Sequence, residues 1–424
     1  MKRAIICFLL FACLLTPVFS RVIAMPQLSL PTAASNGFGG THVSFTDNVY
    51  SLLVNPAAMV RVRQRSFFSL SPSIMNPQFI VDSTRYAREL FTAAATVNLD
   101  TFGEVLGNIG NDLGNREGKL ALGLDLREFP LSFAWVTNGF GFGIWNRTFI
   151  NANIEGVYLE GIWVSANIFT DLIVPVGFAF RVLDNGNHSI DTGITLKPYF
   201  RGMIFEQERV SVLTGEENNF AERINIPLMT GFGFDLGLLY RIDPGFSVGA
   251  TFTDIVNRAY VIRNLNPNII ENNTYYVPFT MNLGLAYDFR LGHVLDDAPF
   301  LLNSLGFTFA FDWRNIVNVF MQYPLQQGNY LDRNAALDIG VGFQISWLDI
   351  IFVRIGMSDM LPAAGLGISL GPVEIDMAYY GKEFGREPGL LPTAMVDFSI
   401  AVRPLTAVRN WPWARRALFN RRGE

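Results

Sequence analysis

The chain has 424 residues, of which half are hydrophobic and only 16% are charged; a soluble chain carries about 25% charged residues. Its formal charge of −5 gives no basic footprint and excludes a nucleic-acid partner. Cys7 and Cys13 are the only cysteines, so past residue 13 the chain has no disulfide, no thiol catalysis and no cysteine-bound metal.

The first residues read as an export signal. Lys2 and Arg3 form a positive start, and Ala4 to Leu15 is an apolar run too short to cross a bilayer comfortably as a helix. Small residues then offer cleavage after Ser20 or after Ala24, and residues 1–24 are assigned to a signal peptide. A retained anchor fits less well. So does a lipoprotein site at Cys13, because Phe11 precedes it poorly and the apolar run continues to Leu15. Cleavage after Ser20 removes Lys2 and Arg3 but no acid, leaving 30 basic against 37 acidic residues, a charge of −7.

Residues 25–64 form a glycine-containing polar segment ahead of the first strand pattern. Within it lie Gly37, Gly39 and Gly40, then Asp47, then Asn55-Pro56-Ala57. The glycines permit backbone conformations closed to other residues, and Asn55-Pro56 is a turn or helix-start signal.

Residues 65–404 alternate with period two. Along Met281–Arg290, Met281, Leu283, Leu285, Tyr287 and Phe289 oppose Asn282, Gly284, Ala286, Asp288 and Arg290. Gly231–Arg241 and Ala336–Trp347 behave alike, as do Leu131–Val136, Phe140–Trp145, Val174–Arg181, Ile190–Phe200, Phe246–Thr253, Leu305–Trp313, Leu366–Leu370, Val373–Tyr379 and Val396–Arg403. These are twelve clear segments; Ser66–Ile74, Glu155–Phe169 and Met203–Leu213 are weaker candidates, and a total near fourteen follows. No later segment reads as a spanning helix: the longest charge-free stretch, Phe129 to Asn146, is broken by Pro130 and by Thr137-Asn138-Gly139. An apolar composition without such helices points to an all-β fold, a closed transmembrane antiparallel β-barrel. A soluble β-sandwich or propeller would show Lys, Glu and Thr on its second face. Here that face is mostly Gly, Ala, Ser and Asp, suited to a crowded lumen. Trp145, Tyr240, Trp313 and Trp347 close the large-residue face as interfacial aromatics would.

Asn138-Gly139 predicts a tight hairpin, placed at the periplasmic end. Residues 75–120 then become the first extracellular loop. It reads as helical, with a capping-box spacing at Thr101 to Glu104 and with Phe102, Val105, Leu106 and Ile109 at helical intervals. An apolar lid that captures ligand and a helix that merely caps the rim are equal alternatives for it. Pro175, Pro198, Pro227 and Pro278 fall inside candidate strands, where proline marks a break or an edge. Residues 405–424, with Trp411, Trp413, Arg415, Arg416, Arg421 and Arg422, form a basic periplasmic tail, disordered or lying on the membrane surface.

Catalytic patterns are missing. His42, His188 and His293 lack metal-ligand spacing, and no nucleophile stands in a recognisable constellation, so neither an enzyme nor a cofactor or metal is expected. Gly141-Phe142-Gly143 and Gly365-Leu366-Gly367 lie in strand patterns and read as lumen-facing glycines rather than nucleotide loops.

The order Gly37 to Gly40, Asp47, Asn55-Pro56-Ala57 resembles the N-terminal hatch of FadL/TodX-type outer-membrane transporters of long-chain fatty acids and hydrocarbons. The motif covers about 35 residues; the remaining likeness is architectural, a barrel of about 14 strands. The resemblance implies a hatch that plugs the lumen, passive uptake of a hydrophobic ligand such as a fatty acid, and residence in the outer membrane among its lipids after insertion by the barrel-assembly machinery. It also implies that a strand break could open the wall laterally. The alternative is a binding or structural barrel, an adhesin or a carrier for exported proteins.

Overall fold

The computed structural model describes residues 22–66, 68–77, 119–157, 161–209, 225–242, 245–266, 274–291, 304–317 and 333–402. The expected signal up to residue 21, residues 78–118 of the expected first extracellular loop with Phe102, Val105, Leu106 and Ile109, and the expected tail at 405–424 lie outside the described residues.

One sheet closes on itself as a barrel of fourteen antiparallel strands. Strand β1 joins Arg63–Ser66 to Phe68–Met75. Then come β2 (Lys119–Thr137), β3 (Phe140–Val157), β4 (Gly161–Ile173 with Val176–Asp184), β5 (His188–Arg209) and β6 (Pro227–Ile242). β7 combines Phe246–Thr253 with Arg258–Asn264, and β8 combines Thr274–Tyr276 with Thr280–Arg290. β9 (Leu305–Trp313), β10 (Ile339–Trp347), β11 (Ile351–Ser358), β12 (Leu361–Ser369), β13 (Val373–Glu383) and β14 (Pro392–Val402) follow. Closure is made where β14 pairs with β1, Met395 opposite Met75 and Val402 opposite Phe68. Closure leaves no sheet edge, so the backbone can be satisfied inside hydrocarbon.

Alternation decides which face meets lipid. Ile355, Leu366, Phe309 and Leu285 are exposed on the outside, whereas Asp312, Asp235, Asp397 and Thr251 on the inside are fully buried. An apolar belt around a polar interior is the pattern of outer-membrane barrels. Aromatic rings gather outside near the short-turn end: Trp135, Phe140 and Phe178 on β2 to β4, and Phe289, Phe307 and Phe343 on β8 to β10. Trp145 departs from the expected girdle. It is only 1% exposed, faces the lumen and stacks on Tyr50 at 6.2 Å, because it shares the inward phase of Gly141, Gly143 and Arg147 on β3.

The Asn138-Gly139 hairpin is present, with φ values of 45° and 88° at its two turn residues. Both must be left-handed in the tight turn that matches strand twist. Four expected segments differ from the observed strands, and the first two, Ile190–Phe200 and Met203–Leu213, are stretches of the single strand β5 as far as it is described. Glu155–Phe169 is not one strand but the ends of β3 and β4 on either side of residues 158–160. Ala336, Leu337 and Asp338 belong to a short 3-10 turn capped by Asn334, not to β10. β11 was absent from the expected segments although its Ile351, Val353, Ile355 and Met357 alternate cleanly; the inward Arg354 breaks the small-residue face.

Of the four prolines, Pro227 simply begins β6. Pro175 separates the halves of β4, and Pro198 stands across from it on β5, where its carbonyl accepts from Val174 N–H at 2.9 Å. Pro278 lies in the break of β8. β2 carries a further irregularity: the register shifts between Arg127 and Ser132, turning Phe129 outward and Glu128 inward.

Candidate functional site

The N-terminal segment packs on the inner face of the wall. A short stretch, Val22–Ala24, pairs in parallel with Thr274–Tyr276 of β8. Helix α1 (Ala33–Gly37) begins at Thr32, whose hydroxyl accepts from Ser35 N–H at 3.1 Å. Helix α2 (Ser51–Val54) and a 3-10 turn, Pro56–Val60, follow. Asn55 starts that turn as its sequence signalled, its Oδ1 accepting from Ala57 N–H at 3.1 Å with Pro56 at the first position, where a missing N–H costs nothing.

From Met25 onward the segment makes one circuit of the wall. The Pro26 carbonyl accepts from Arg201 on β5 at 2.7 Å, the Ser29 carbonyl from Arg147 on β3 at 2.9 Å, and the Pro31 carbonyl from Arg127 on β2. Asn36 of α1 donates to Asp397 on β14 at 2.6 Å. The N–H groups of His42 and Val43 both donate to Asp312 Oδ2 on β9, at 2.6 and 2.9 Å. Ser247 on β7 donates to the Ser44 carbonyl at 3.1 Å. Asn55 donates to the Val43 carbonyl at 2.8 Å and to the Leu238 carbonyl on β6 at 3.3 Å. The chain reaches the short-turn end where Gly139 N–H donates to the Met59 carbonyl at 2.9 Å.

The arginines that hold the segment are themselves paired. Asp125 takes a two-pronged contact from Arg147 at 2.9 Å on each oxygen, and Asp171 one from Arg201 at 2.6 and 2.7 Å. Arg127 lies 2.8 Å from Asp397. All three guanidinium groups are buried, so each needs both a counter-charge and acceptors for its remaining donors. The backbone carbonyls supply the latter. Phe169 lies between Arg147 and Arg201, 5.3 and 5.2 Å from their guanidinium carbons.

Elsewhere the segment needs a wall without side chains. A Cβ on Gly193 would lie 2.5 Å from the Pro56 carbonyl carbon, and one on Gly237 2.3 Å from Asn55 Oδ1. On β10 and β11, Gly342 and Gly356 leave room for Phe38 and Gly39. Gly39 is doubly constrained: its φ is +71°, and a Cβ there would lie 2.1 Å from the Val341 carbonyl. Gly40 shares that φ and lies against Arg314, while Gly37 lies against Gly365.

Six of the seven motif residues, Gly37, Gly39, Gly40, Asn55, Pro56 and Ala57, are thus buried against the wall. Asp47 is exposed toward the cavity. Sequence reasoning missed Arg127, Arg147, Arg201 and their acids. Their signal was available as charges at inward positions of strands otherwise filled with small residues.

Segment and wall border a cavity of about 570 Å³, whose lining includes the apolar Leu30, Phe45 and Phe149 and the charged Arg354 and Lys382. His42 is half-buried here, its Nδ1 without a hydrogen-bond partner among the described residues. Burial, with the nearby Arg314 charge, lowers its imidazole to about 4. Among the described residues no group of three or more His, Cys, Asp or Glu could hold a metal.

Fourteen closed antiparallel strands, an apolar outside and a charge-lined, occupied inside define a transmembrane β-barrel of the outer-membrane type. The chain belongs to the family described as F plasmid transfer operon, TraF, protein, whose model matches residues 53–293, more than half of it. Solved structures similar to it include the P. putida toluene transporter TodX, at 11% identity and a TM-score of 0.48 over 89% of this chain and 99% of that one. The CymD monoaromatic hydrocarbon channel is similar at 12% identity and 0.43 over 87% and 96%. A Pseudomonas aeruginosa FadL homologue is similar at 10% identity and 0.43 over 90% and 99%. No curated protein matches the sequence.

Proposed function

We propose that the barrel takes up hydrophobic small molecules, long-chain fatty acids among them, by passive passage across the outer membrane, with residues 25–64 as its hatch. The observation that carries this reading is the cavity of about 570 Å³, shared between the N-terminal segment and the wall. That volume falls in the range of small-molecule sites, about 300–1,000 Å³. On this reading residues 1–24 are the export signal, the barrel-assembly machinery inserts residues 65–404, and the 75–120 loop with Phe102, Val105, Leu106 and Ile109 captures ligand. The protein performs no catalysis.

Native mass spectrometry of the purified barrel, paired with fatty-acid uptake into liposomes, tests the proposal. Co-purified lipid and uptake that changes when residues 25–64 are altered support it; neither lipid nor uptake ends it. The family description, a plasmid-transfer operon protein, favours a second reading, a barrel that serves an envelope transfer apparatus as a carrier or scaffold. Capture of an exported protein without any lipid would decide for that reading.

A further inference from the structure

Three guanidinium groups share a polar pocket of about 530 Å³ at the short-turn end of the lumen, beneath the 3-10 turn. Arg61 ends the N-terminal segment, Arg181 is on the lower half of β4, and Arg241 is near the end of β6. Arg181 Nε donates to Asp191 Oδ1 at 2.8 Å and its Nη1 to Asp184 Oδ2 at 2.6 Å. Arg61 Nη2 donates to Ser189 Oγ at 2.6 Å, and its Nε lies 3.5 Å from Asp191 Oδ2. Two acids therefore answer two arginines. The third, Arg241, has its Nε buried with no hydrogen-bond partner among the described residues. It feels the like charges of Arg61 and Arg181 and the opposite charges of Asp191 and Asp47.

Each guanidinium carries five N–H donors in a rigid fork. The contacts above leave most of those fifteen donors without a protein acceptor among the described residues, and they border an open, polar pocket. Water can solvate such donors, but three converging forks match a multivalent oxyanion better than a single carboxylate, which Asp191 already supplies.

We propose that this pocket binds a phosphate-class oxyanion, free or carried on a small soluble molecule, at the periplasmic mouth of the lumen. Its position inside the wall, away from the apolar belt, points to an aqueous solute. The site does not depend on the uptake reading.

Calorimetric titration of the full-length barrel in detergent tests it, with inorganic phosphate, glycerol phosphate and acetate at constant ionic strength. Saturable phosphate binding is expected, at least tenfold tighter than acetate and at least tenfold weaker in Arg241→Gln. Glycerol phosphate binding as well as phosphate identifies a carried group; phosphate alone identifies the free ion. No saturable phosphate binding, equal affinity in Arg241→Gln, or acetate as tight as phosphate overturns the site. Folding is checked by heat-modifiable gel mobility. If Arg241→Gln does not fold, Arg61→Gln, whose side chain is partly exposed, is read against the same thresholds.

Discussion

Arg127 on β2 and Arg147 on β3 stand directly opposite each other in the wall, two like charges in one cross-strand pair. Such a pair is ordinarily destabilising. Here Asp125 lies within reach of both, 2.9 Å from Arg147 and 3.7 Å from Arg127, and Asp397 adds a second negative charge at Arg127. The next strands continue the row, Arg147 opposite Asp171 and Asp171 opposite Arg201. Arg147→Met would leave Asp125 with its more distant arginine alone and the Ser29 carbonyl without its donor. Removing one partner of a buried pair costs about 3–5 kcal/mol. Urea unfolding of the refolded barrel should show a loss of that order, with Arg147→Lys intermediate because it keeps the charge but not the fork. A change below about 1 kcal/mol, the scale of an exposed pair, would mean that the row does not hold the segment.

The lumenal glycines make a second, steric prediction. At Gly237 any side chain must displace Asn55 or Ala57, since even a Cβ would sit 2.3 Å from Asn55 Oδ1 and 2.9 Å from Ala57 N. Gly237→Val is expected to push the 3-10 turn off the wall, seen as larger or noisier single-channel conductance in planar bilayers. Gly202→Val is the control: a Cβ there meets only Leu228 Cδ2, at 3.2 Å. Equal conductance in the two variants would show that the segment does not seal the lumen at this point.

The wall was legible in the sequence because one physical cause, lipid outside and a crowded interior, writes itself into every second residue. Phe309, Leu366 and Gly342 could be assigned to a face from their neighbours alone. Trp145 could not, because a large aromatic at an inward position is matched by Tyr50, nearly a hundred residues earlier in the chain. The β2 register shift was hidden for a related reason: Glu128 turns inward to accept from the Tyr50 hydroxyl at 2.6 Å. Gly37, Gly39, Gly40 and Asn55-Pro56-Ala57 were legible as a motif through glycine and proline geometry. Their partners on β5, β6, β10, β11 and β12 were not, since pairing between a spiral segment and a closed wall leaves no local period.

His42 gives the segment a pH dependence. Its imidazole stands near 4 in the folded protein against about 6.5 unfolded. The unfolded chain therefore binds the extra proton between these values, and stability falls as pH drops through that window. Above 6.5 both states are neutral and the contribution is complete; below 4 the loss is complete. The shift corresponds to at most about 3 kcal/mol, trimmed by the partial exposure of the ring. Urea unfolding at pH values from 7 down to 4 should show this slope in the native chain and a flatter one in His42→Gln. Parallel slopes would assign the dependence to other groups.

If an export signal is removed from the start of the chain, the pairing of Val22–Ala24 favours one of the two expected cleavage points. Cleavage after Ala24 would remove the three residues paired with Thr274–Tyr276. It would also turn the Met25 amide, which donates to the Tyr276 carbonyl at 2.8 Å, into a charged ammonium at a residue only 3% exposed. Burying an ammonium opposite a carbonyl is costly. Cleavage after Ser20 keeps the paired residues and leaves the new terminus at Arg21, short of the buried stretch. Intact mass and N-terminal sequencing of the protein recovered from outer membranes should therefore find a chain beginning at Arg21. A chain beginning at Met25 would show that the Val22–Ala24 pairing is dispensable and that the first held residue is Pro26, through its carbonyl to Arg201.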